Sequence, residues 1–368
     1  MASIDKRDSA SGVRYDVRYR DPSRQLRKKT FARKLDAERF AKTIGADLVR
    51  GEWTDPRGGQ VRFAEWLATW RATTTNLRPS TVARDESYLR SHVLPRFGEL
   101  RLGDIDHMAV RAWVTDLSAD GLAPATVVKA AQIMGKVMRA AVDAGKIKAS
   151  PCERIPLPKI EREEMRFLAP AEVASLADAI DPRFRALVFV GAYGGLRLGE
   201  LAGLKRRRVD LLHGRVGVAE IVVEVRGALH SGPPKTRAGR RSVPLPRSVV
   251  VELERHFASI KGEMVFPAPE GGPLRGGLFR SRFWAPAVKA AGLEPLRIHD
   301  LRHTAVAFWI AAGASANEVA ARAGHASVVT VLDRYGHRSE GAEDRVTDAL
   351  DVMAQAAAPA GIVRAIGG

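Results

Sequence analysis

Val13, Tyr15, Val17 and Tyr19 alternate with Arg14, Asp16, Arg18 and Arg20, the period of two that lays one face of a strand against a core. Asp21-Pro22-Ser23 breaks the pattern as a turn, and Arg27 to Phe31 reads as a partner strand. Asp36 is then placed to N-cap a helix with Phe40, Ile44 and Leu48 on one face, and Gly51 to end it. After the spacer Asp55-Pro56-Arg57-Gly58-Gly59 the period becomes helical. Phe63, Trp66, Leu67 and Trp70 fall at i, i+3, i+4 and i+7. Pro79-Ser80-Thr81 opens a second helix carrying Val82, Leu89 and Val93. Val110, Trp113, Val114 and Leu117 mark a third, ended by Gly121, and a fourth runs from Ala125 to Ala144 with Ile133, Val137 and Met138 inward. Tryptophans in such stripes read as core, not as platforms for stacked bases.

The stretch Ser150 to Glu164 sets Pro151, Pro156 and Pro158 among charges, the composition of an exposed linker. Beyond it, helices over 170–180 and 183–193 precede β-branched runs at Val216 to Val225 and Arg241 to Leu245, and helices return from 247. The fold class is therefore mixed and mainly α. A small β+α domain spans 1–58, an all-α domain 60–150 and an α+β domain 165–345. In the tail, Val346, Leu350 and Met353 recur at helical spacing between Ala342 and Ala357, an apolar stripe that must be buried on its own chain or on a neighbour.

Charge changes the picture more than composition does. Apolar and charged fractions of 45% and 27% are ordinary, but 59 basic against 42 acidic residues leave a net +17. That balance favours a polyanionic partner, nucleic acid first and an acidic membrane surface second. Cys152 is the single cysteine, so neither an intrachain disulfide nor a cysteine-cluster zinc site can form, which suits a reducing cytoplasm. Met1 to Ser11 is polar and lacks a secretory core, and no run approaches the roughly 18 apolar residues of a membrane span. The chain reads as soluble and cytoplasmic.

Local motifs follow in order: Gly195-Leu196-Arg197-Leu198-Gly199-Glu200-Leu201, Pro234-Lys235-Thr236, His299-Asp300-Leu301-Arg302-His303-Thr304, Gly324-His325 and Asp333-Arg334-Tyr335-Gly336. Singly each has an ordinary structural explanation. Arg197 can start a surface helix, His299 and Arg302 can be a polar pair on one helix face, and a tyrosine is usually half-buried. Together they supply what metal-independent phosphoryl transfer on nucleic acid requires. Guanidinium forks stabilise charge on nonbridging oxygens bidentately, which an ammonium does less well. Histidine and lysine move the protons of the attacking and departing oxygens. A tyrosine nucleophile stores the phosphodiester energy as a covalent link, so no nucleotide is needed to rejoin the strand.

The order Arg…Lys…His-x-x-Arg…His…Tyr, carried by GLRLGEL, PKT, HDLRHT and GH…DRYGH, resembles the tyrosine recombinase (phage integrase) family over residues 60 to about 340. The first 58 residues are similar to the arm-binding domain that precedes the core-binding and catalytic domains in many integrases. The resemblance implies that Arg197 and Arg302 clamp the scissile phosphate, that His299 and His325 hydrogen-bond it and assist proton transfer, and that Lys235, in a β-hairpin loop, is the general acid. It implies Tyr335 as the nucleophile forming a 3′-phosphotyrosine and Glu200 as the acid that orients catalytic side chains. No metal and no cofactor is implied. The partners implied are double-stranded attachment-site DNA, a homotetramer on synapsed DNA, and a host DNA-bending protein and excisionase. His325 and Tyr335 stand one position further apart than in many members. His337, two positions beyond Tyr335, does not match the Gly-His motif.

Elimination among the five tyrosines points the same way. Tyr15 and Tyr19 share the buried face of a strand, Tyr88 is remote from the arginines and histidines, and Tyr193 falls on a core helix. Arg14, Arg18, Arg20, Arg27, Lys28 and Lys29 make the first sheet a candidate reader of a second DNA sequence. A DNA-binding regulator without chemistry has no use for the whole constellation, and a metal nuclease needs clustered carboxylates that the motifs lack. A type IB topoisomerase shares the tyrosine chemistry, but the arm-like N-terminal unit favours multi-site assembly. A chromosome-dimer resolvase, the nearest alternative, typically begins at the helical domain without such a unit.

Overall fold

In a computed structural model that describes residues 2–9, 12–22, 24–50, 55, 58–75, 77–161, 165–325, 327–335 and 350, the first alternating segment is strand β2, Gly12–Arg20. It is the centre of an antiparallel sheet in the order β1-β2-β3, with β1 Ser3–Ser9 and β3 Leu26–Phe31. Nothing apolar alternates in β1, which is held by pairing with β2, and its charges suit an edge strand. Val17 and Tyr19 are buried beneath helix α1, Lys34–Arg50, whose Phe40 ring lies 6.1 Å from Tyr19 and 5.2 Å from Phe31. The helix begins two residues before Asp36, so Asp36 complements the dipole of the first turn instead of capping it.

Register sorts the basic residues. Arg18 faces Lys28 across the pair β2–β3, placing Arg14, Arg18, Arg20 and Lys28 on one side. Arg27 and Lys29 oppose Tyr19 and Val17 and therefore lie on the helix-covered side, so the six basic residues of the candidate reader do not share one face. Arg27 donates to Asp21 (2.9 Å) and Asp55 (3.1 Å), and the Lys29 ammonium sits 4.6 Å from the Phe40 ring centre. Asp16, expected on the open face, is buried there between Thr30 and Lys28.

The same unit, Met1–Arg162, continues into helices α2 Phe63–Thr73 and α3 Pro79–Tyr88, then through a π-type turn over Leu89–Val93 into α4 Leu94–Phe97. Helices α5 His107–Ala119 and α6 Pro124–Asp143 complete it. Phe63, Trp66, Leu89, Val93, Trp113, Ile133, Val137 and Met138 form one core. Both buried indoles are satisfied, Trp66 by Val137 O and Trp113 by His92 O, each at 3.0 Å, as core tryptophans must be. Val82, about two turns nearer the helix start than Leu89, lies beyond the edge of that core and is exposed.

The second unit, Glu163–Gly368, opens with α7 Pro170–Ala179, α8 Arg185–Gly194 and the short α9 Leu198–Ala202. Strands β4 Val209–Asp210, β5 Arg215–Val218 and β8 Arg241–Pro244 form one sheet. Strands β6 Ile221–Val225 and β7 Ala228–Gly232 form a separate hairpin. The β-branched run Val216 to Val225 is thus two strands in two sheets. Lys235 does not lie in the hairpin turn, which is Arg226-Gly227, but beyond β7 in the connection to β8.

Helices α10 Arg247–Ser259, α11 Gly276–Phe279, α12 Ala285–Ala290, α13 Asp300–Ala311, α14 Ala316–Ala323 and α15 Val329–Tyr335 follow. Among them α13 is buried nearly all round, including Asp300, Arg302, His303 and Thr304, which makes it the central pillar of the unit. Among the described residues no helix is long and apolar enough to cross a membrane. Apart from Leu350, the stripe in the tail lies outside the described residues, as does His337.

Candidate active site

Everything in the site hangs on α13 and its neighbours. Gly191 of α8 lets Leu301 of α13 approach so closely that a Cβ there would lie 2.7 Å from it. Gly195 then ends α8 in the left-handed conformation (φ +65°), and its missing Cβ makes room for the Trp309 ring, 2.7 Å away from where that atom would be. The reversal aims the Gly195 carbonyl at α13, where Arg302 Nη1 donates to it at 2.7 Å. Arg302 Nη2 donates to Ala323 O at the end of α14 and stands 3.0 Å from His325 Nε2.

Arg197 N-caps α9. Glu200 accepts from its backbone N and its Nη1, both at 2.9 Å. The same carboxylate is gripped by Arg241 of β8, whose Nη1 and Nη2 donate at 3.0 Å each. Glu200 is 2% exposed. Burial alone would push its carboxyl up, but the hydrogen bonds and charges of Arg241 and Arg197 hold it below the ordinary carboxylate range. Arg241 further donates through Nε to Arg322 O at 2.6 Å. Gly324 (φ +65°) turns the chain against Ala238 O and the Arg241 guanidinium, where a Cβ would sit 2.9 and 3.0 Å from its neighbours. That contact brings the connection carrying Lys235 beside the turn carrying His325.

Burial grades the site from back to front. Arg302 is 3% exposed, the Arg197 side chain 40%, and His299 is exposed at the start of α13. Burial, with repulsion from Arg197 and Arg241 that Glu200 and Tyr335 offset only in part, pulls the Arg302 guanidinium down to about 9. Such a charge stays protonated at neutral pH and is relieved by an anion arriving in front of it.

Tyr335 ends α15 and is 2% exposed, packed edge-on against Phe167 with ring centres 6.3 Å apart. Its hydroxyl lies 2.5 Å from His303 Nδ1, and the His303 ring meets His299 edge-on at 4.8 Å. The structure therefore gathers Arg197, Glu200, Arg302, His325 and Tyr335 around α13, with His299 at its open end. Lys235 is exposed and makes no hydrogen bond or ion pair with another described residue.

Sequence reasoning missed two contributors. Arg241 gave no local signal, because an arginine in a short strand is unremarkable until its partner Glu200 is known. His303 did leave one: it stands four residues after His299, on the same helix face.

Removing the Arg241 partner should be costly. Arg241→Met leaves the buried Glu200 carboxylate with half its donors, and the second unit should lose about 3–5 kcal/mol, read as a lowered unfolding midpoint. The depressed Glu200 carboxyl also sets an acid limit. Its stabilisation is fully present above the unfolded carboxyl's ordinary value, about 4.3, and is lost as pH falls through the lower folded value. Acid titration of Glu200→Gln should lack that component of the melting curve.

Two family models match the chain. The phage integrase family matches residues 166–341, and the phage integrase N-terminal SAM-like domain matches residues 62–118. The protein named as the phiRv2 prophage integrase of Mycobacterium tuberculosis is 27% identical over 340 residues, covering 89% of each chain. Among solved structures, the Tn1549 transposon integrase in complex with a circular intermediate DNA superposes with a TM-score of 0.69 at 18% identity, over 78% of this chain and 99% of that one. The lambda integrase tetramer bound to a Holliday junction gives 0.57 at 18% identity, over 88% and 92%. At such identities the two structures show a shared fold.

Proposed function

The chain belongs to the phage integrase family of tyrosine recombinases, and we propose on that premise that it integrates a phage or mobile element by cutting and rejoining DNA through Tyr335. The observation that carries the reading is convergence. Arg302 bonds Gly195, 107 positions earlier in the chain, and touches His325. Tyr335 reaches the residue next to Arg302 on the same helix.

In this reading Arg197 and Arg302 hold the nonbridging oxygens of the scissile phosphate, and His299 and His325 add hydrogen bonds from either side. Glu200 and Arg241 fix Arg197. The Tyr335 oxygen attacks phosphorus, the bond to the 5′-oxygen breaks, and Lys235 supplies that oxygen's proton. The resulting 3′-phosphotyrosine is reversed by the 5′-hydroxyl of the incoming strand, so the chemistry calls on neither metal nor nucleotide. Two DNA sites cut together imply a homotetramer, as in the lambda integrase assembly on a Holliday junction. The reading divides the chain into an arm-site module over 1–58, a core-binding module over 60–150 and a catalytic domain over 165–345. It places the protein on DNA in a bacterial cytoplasm, with a host DNA-bending protein and an excisionase as further partners. Trapping on nicked suicide DNA followed by peptide mapping tests it: the adduct should lie on Tyr335, and an adduct on Tyr193 overturns the assignment.

The arm-site module rests on Arg14, Arg18, Arg20 and Lys28, which share the sheet face away from α1 with Arg7 of β1. Reversing Arg14 and Arg18 to glutamate should weaken binding of arm-type duplex by ~10-fold or more and flatten its salt dependence. The core-site footprint should not change. Equal loss at both sites would mean that the module has no DNA sequence of its own.

A further inference from the structure

We propose that His303 is a further catalytic residue, the base that receives the proton of the Tyr335 hydroxyl as the phenolic oxygen attacks phosphorus. The inference rests on Tyr335 being the nucleophile. It adds a role for a side chain outside the phosphate cradle of arginines and histidines.

The geometry is specific. His303 Nδ1 lies 2.5 Å from the Tyr335 oxygen, and both residues are buried, at 6% and 2% exposure. A buried phenol must place its hydrogen on an acceptor. With the imidazole proton on Nε2, that acceptor is Nδ1. His303 follows Arg302 directly on α13, so one rigid helix fixes both the phosphate clamp and the proton acceptor. Thr304, the next residue, accepts from Leu168 N at 3.0 Å, which docks the segment bearing Phe167 over the Tyr335 ring. Residues 302–304 thus hold the phosphate side, the proton side and the back of the nucleophile in succession.

The chemistry matches the residue types. A neutral imidazole offers one unprotonated ring nitrogen as a proton acceptor, and a phenol has one proton to give. The O–H electron pair stays on the phenolic oxygen and forms the O–P bond as Nδ1 takes the proton. The P–O5′ bond breaks with its electron pair on the 5′-oxygen, protonated by Lys235. In the reverse step His303⁺ returns its proton to the departing phenolate.

Three variants test the assignment in the full-length chain with suicide DNA. His303→Ala should slow single-turnover cleavage by ~10²–10⁴-fold with the DNA footprint unchanged. His303→Gln, which can hold the hydroxyl but cannot take its proton, should be comparably slow. Installing a fluorinated, more acidic tyrosine at position 335 should then recover at least ~10-fold in either His303 variant and little in the parent protein, because an acidic phenol needs the base less. A merely structural role would not respond to phenol acidity. Cleavage by His303→Gln close to the parent rate, or no gain from the fluorinated residue in either variant, rejects the proposal. Should the alanine variant fail to fold, the glutamine variant carries the test alone. Adduct mapping separates the two readings: an adduct on another tyrosine removes the nucleophile assignment itself, whereas an adduct on Tyr335 with rates indifferent to position 303 removes only the base.

Discussion

Tyr335→Phe should abolish covalent attachment to DNA while leaving affinity for the core site nearly unchanged. The phenyl ring keeps its packing against Phe167 and the loss is one oxygen, so the fold tolerates the change. On the proposed assignment, what disappears is the oxygen that forms the phosphotyrosine. Tyr193 is held elsewhere, stacked on Phe189 and tilted against Phe308, with burial raising its own phenol. Strand cleavage in a single-turnover assay should fall by about four orders of magnitude or more, the scale on which removing a nucleophile acts. The variant should also release the His303 side of the bond, and a modest loss of stability, about 1 kcal/mol, is expected from the missing buried hydrogen bond. Residual adduct on the phenylalanine protein would mean that another nucleophile serves.

The second large effect concerns the arginines, and the structure separates them. Arg302→Lys keeps the charge and loses the fork. A lysine cannot serve Gly195 O, Ala323 O and His325 while also facing a phosphate. Cleavage should drop by ~10²–10³-fold, the usual consequence of removing one donor aimed at developing charge. Each buried carbonyl left without a donor should further cost about 1–3 kcal/mol of stability. Arg197→Lys should lose comparable activity with little change in melting, because its side chain is 40% exposed and Glu200 retains Arg241. The paired measurement is cleavage rate against unfolding midpoint for both variants. Equal stability losses at the two positions would contradict the graded burial of the site, and near-parent cleavage by both would remove the phosphate clamp.

Much of this molecule was legible in its sequence, and the reasons are local. Helices α2, α5 and α6 follow from apolar residues at helical spacing, since periodicity decides which face is buried before any partner is known. The candidate motifs could be picked out because the demands of phosphoryl transfer restrict residue types severely, and the fold brings Arg302, His325 and Tyr335 to one place. Gly195 and Gly324 could be noted as motif glycines, but what they permit, the entry of Trp309 and of the Arg241 guanidinium, depends on segments that approach only after folding.

What only the tertiary structure decided is which side chains meet. Strand β1 carries no apolar alternation and exists because β2 offers it an edge. Arg27 and Lys29 leave the basic face because antiparallel register, not charge, fixes which side of a sheet a residue takes. Lys235 lies beyond the hairpin turn because the run from Val216 to Val225 divides between two sheets, a choice that pairing partners make and periodicity cannot. Arg241 and Glu200, 41 positions apart, and His303 and Tyr335, 32 apart, are joined by contacts whose free energy appears only once the intervening chain is ordered. The sequence by itself determined the chemistry available to this protein. The packing of α8, α14 and α15 around α13 determined its geometry, because a buried charge or phenol is stable only where the fold delivers its hydrogen-bond partner.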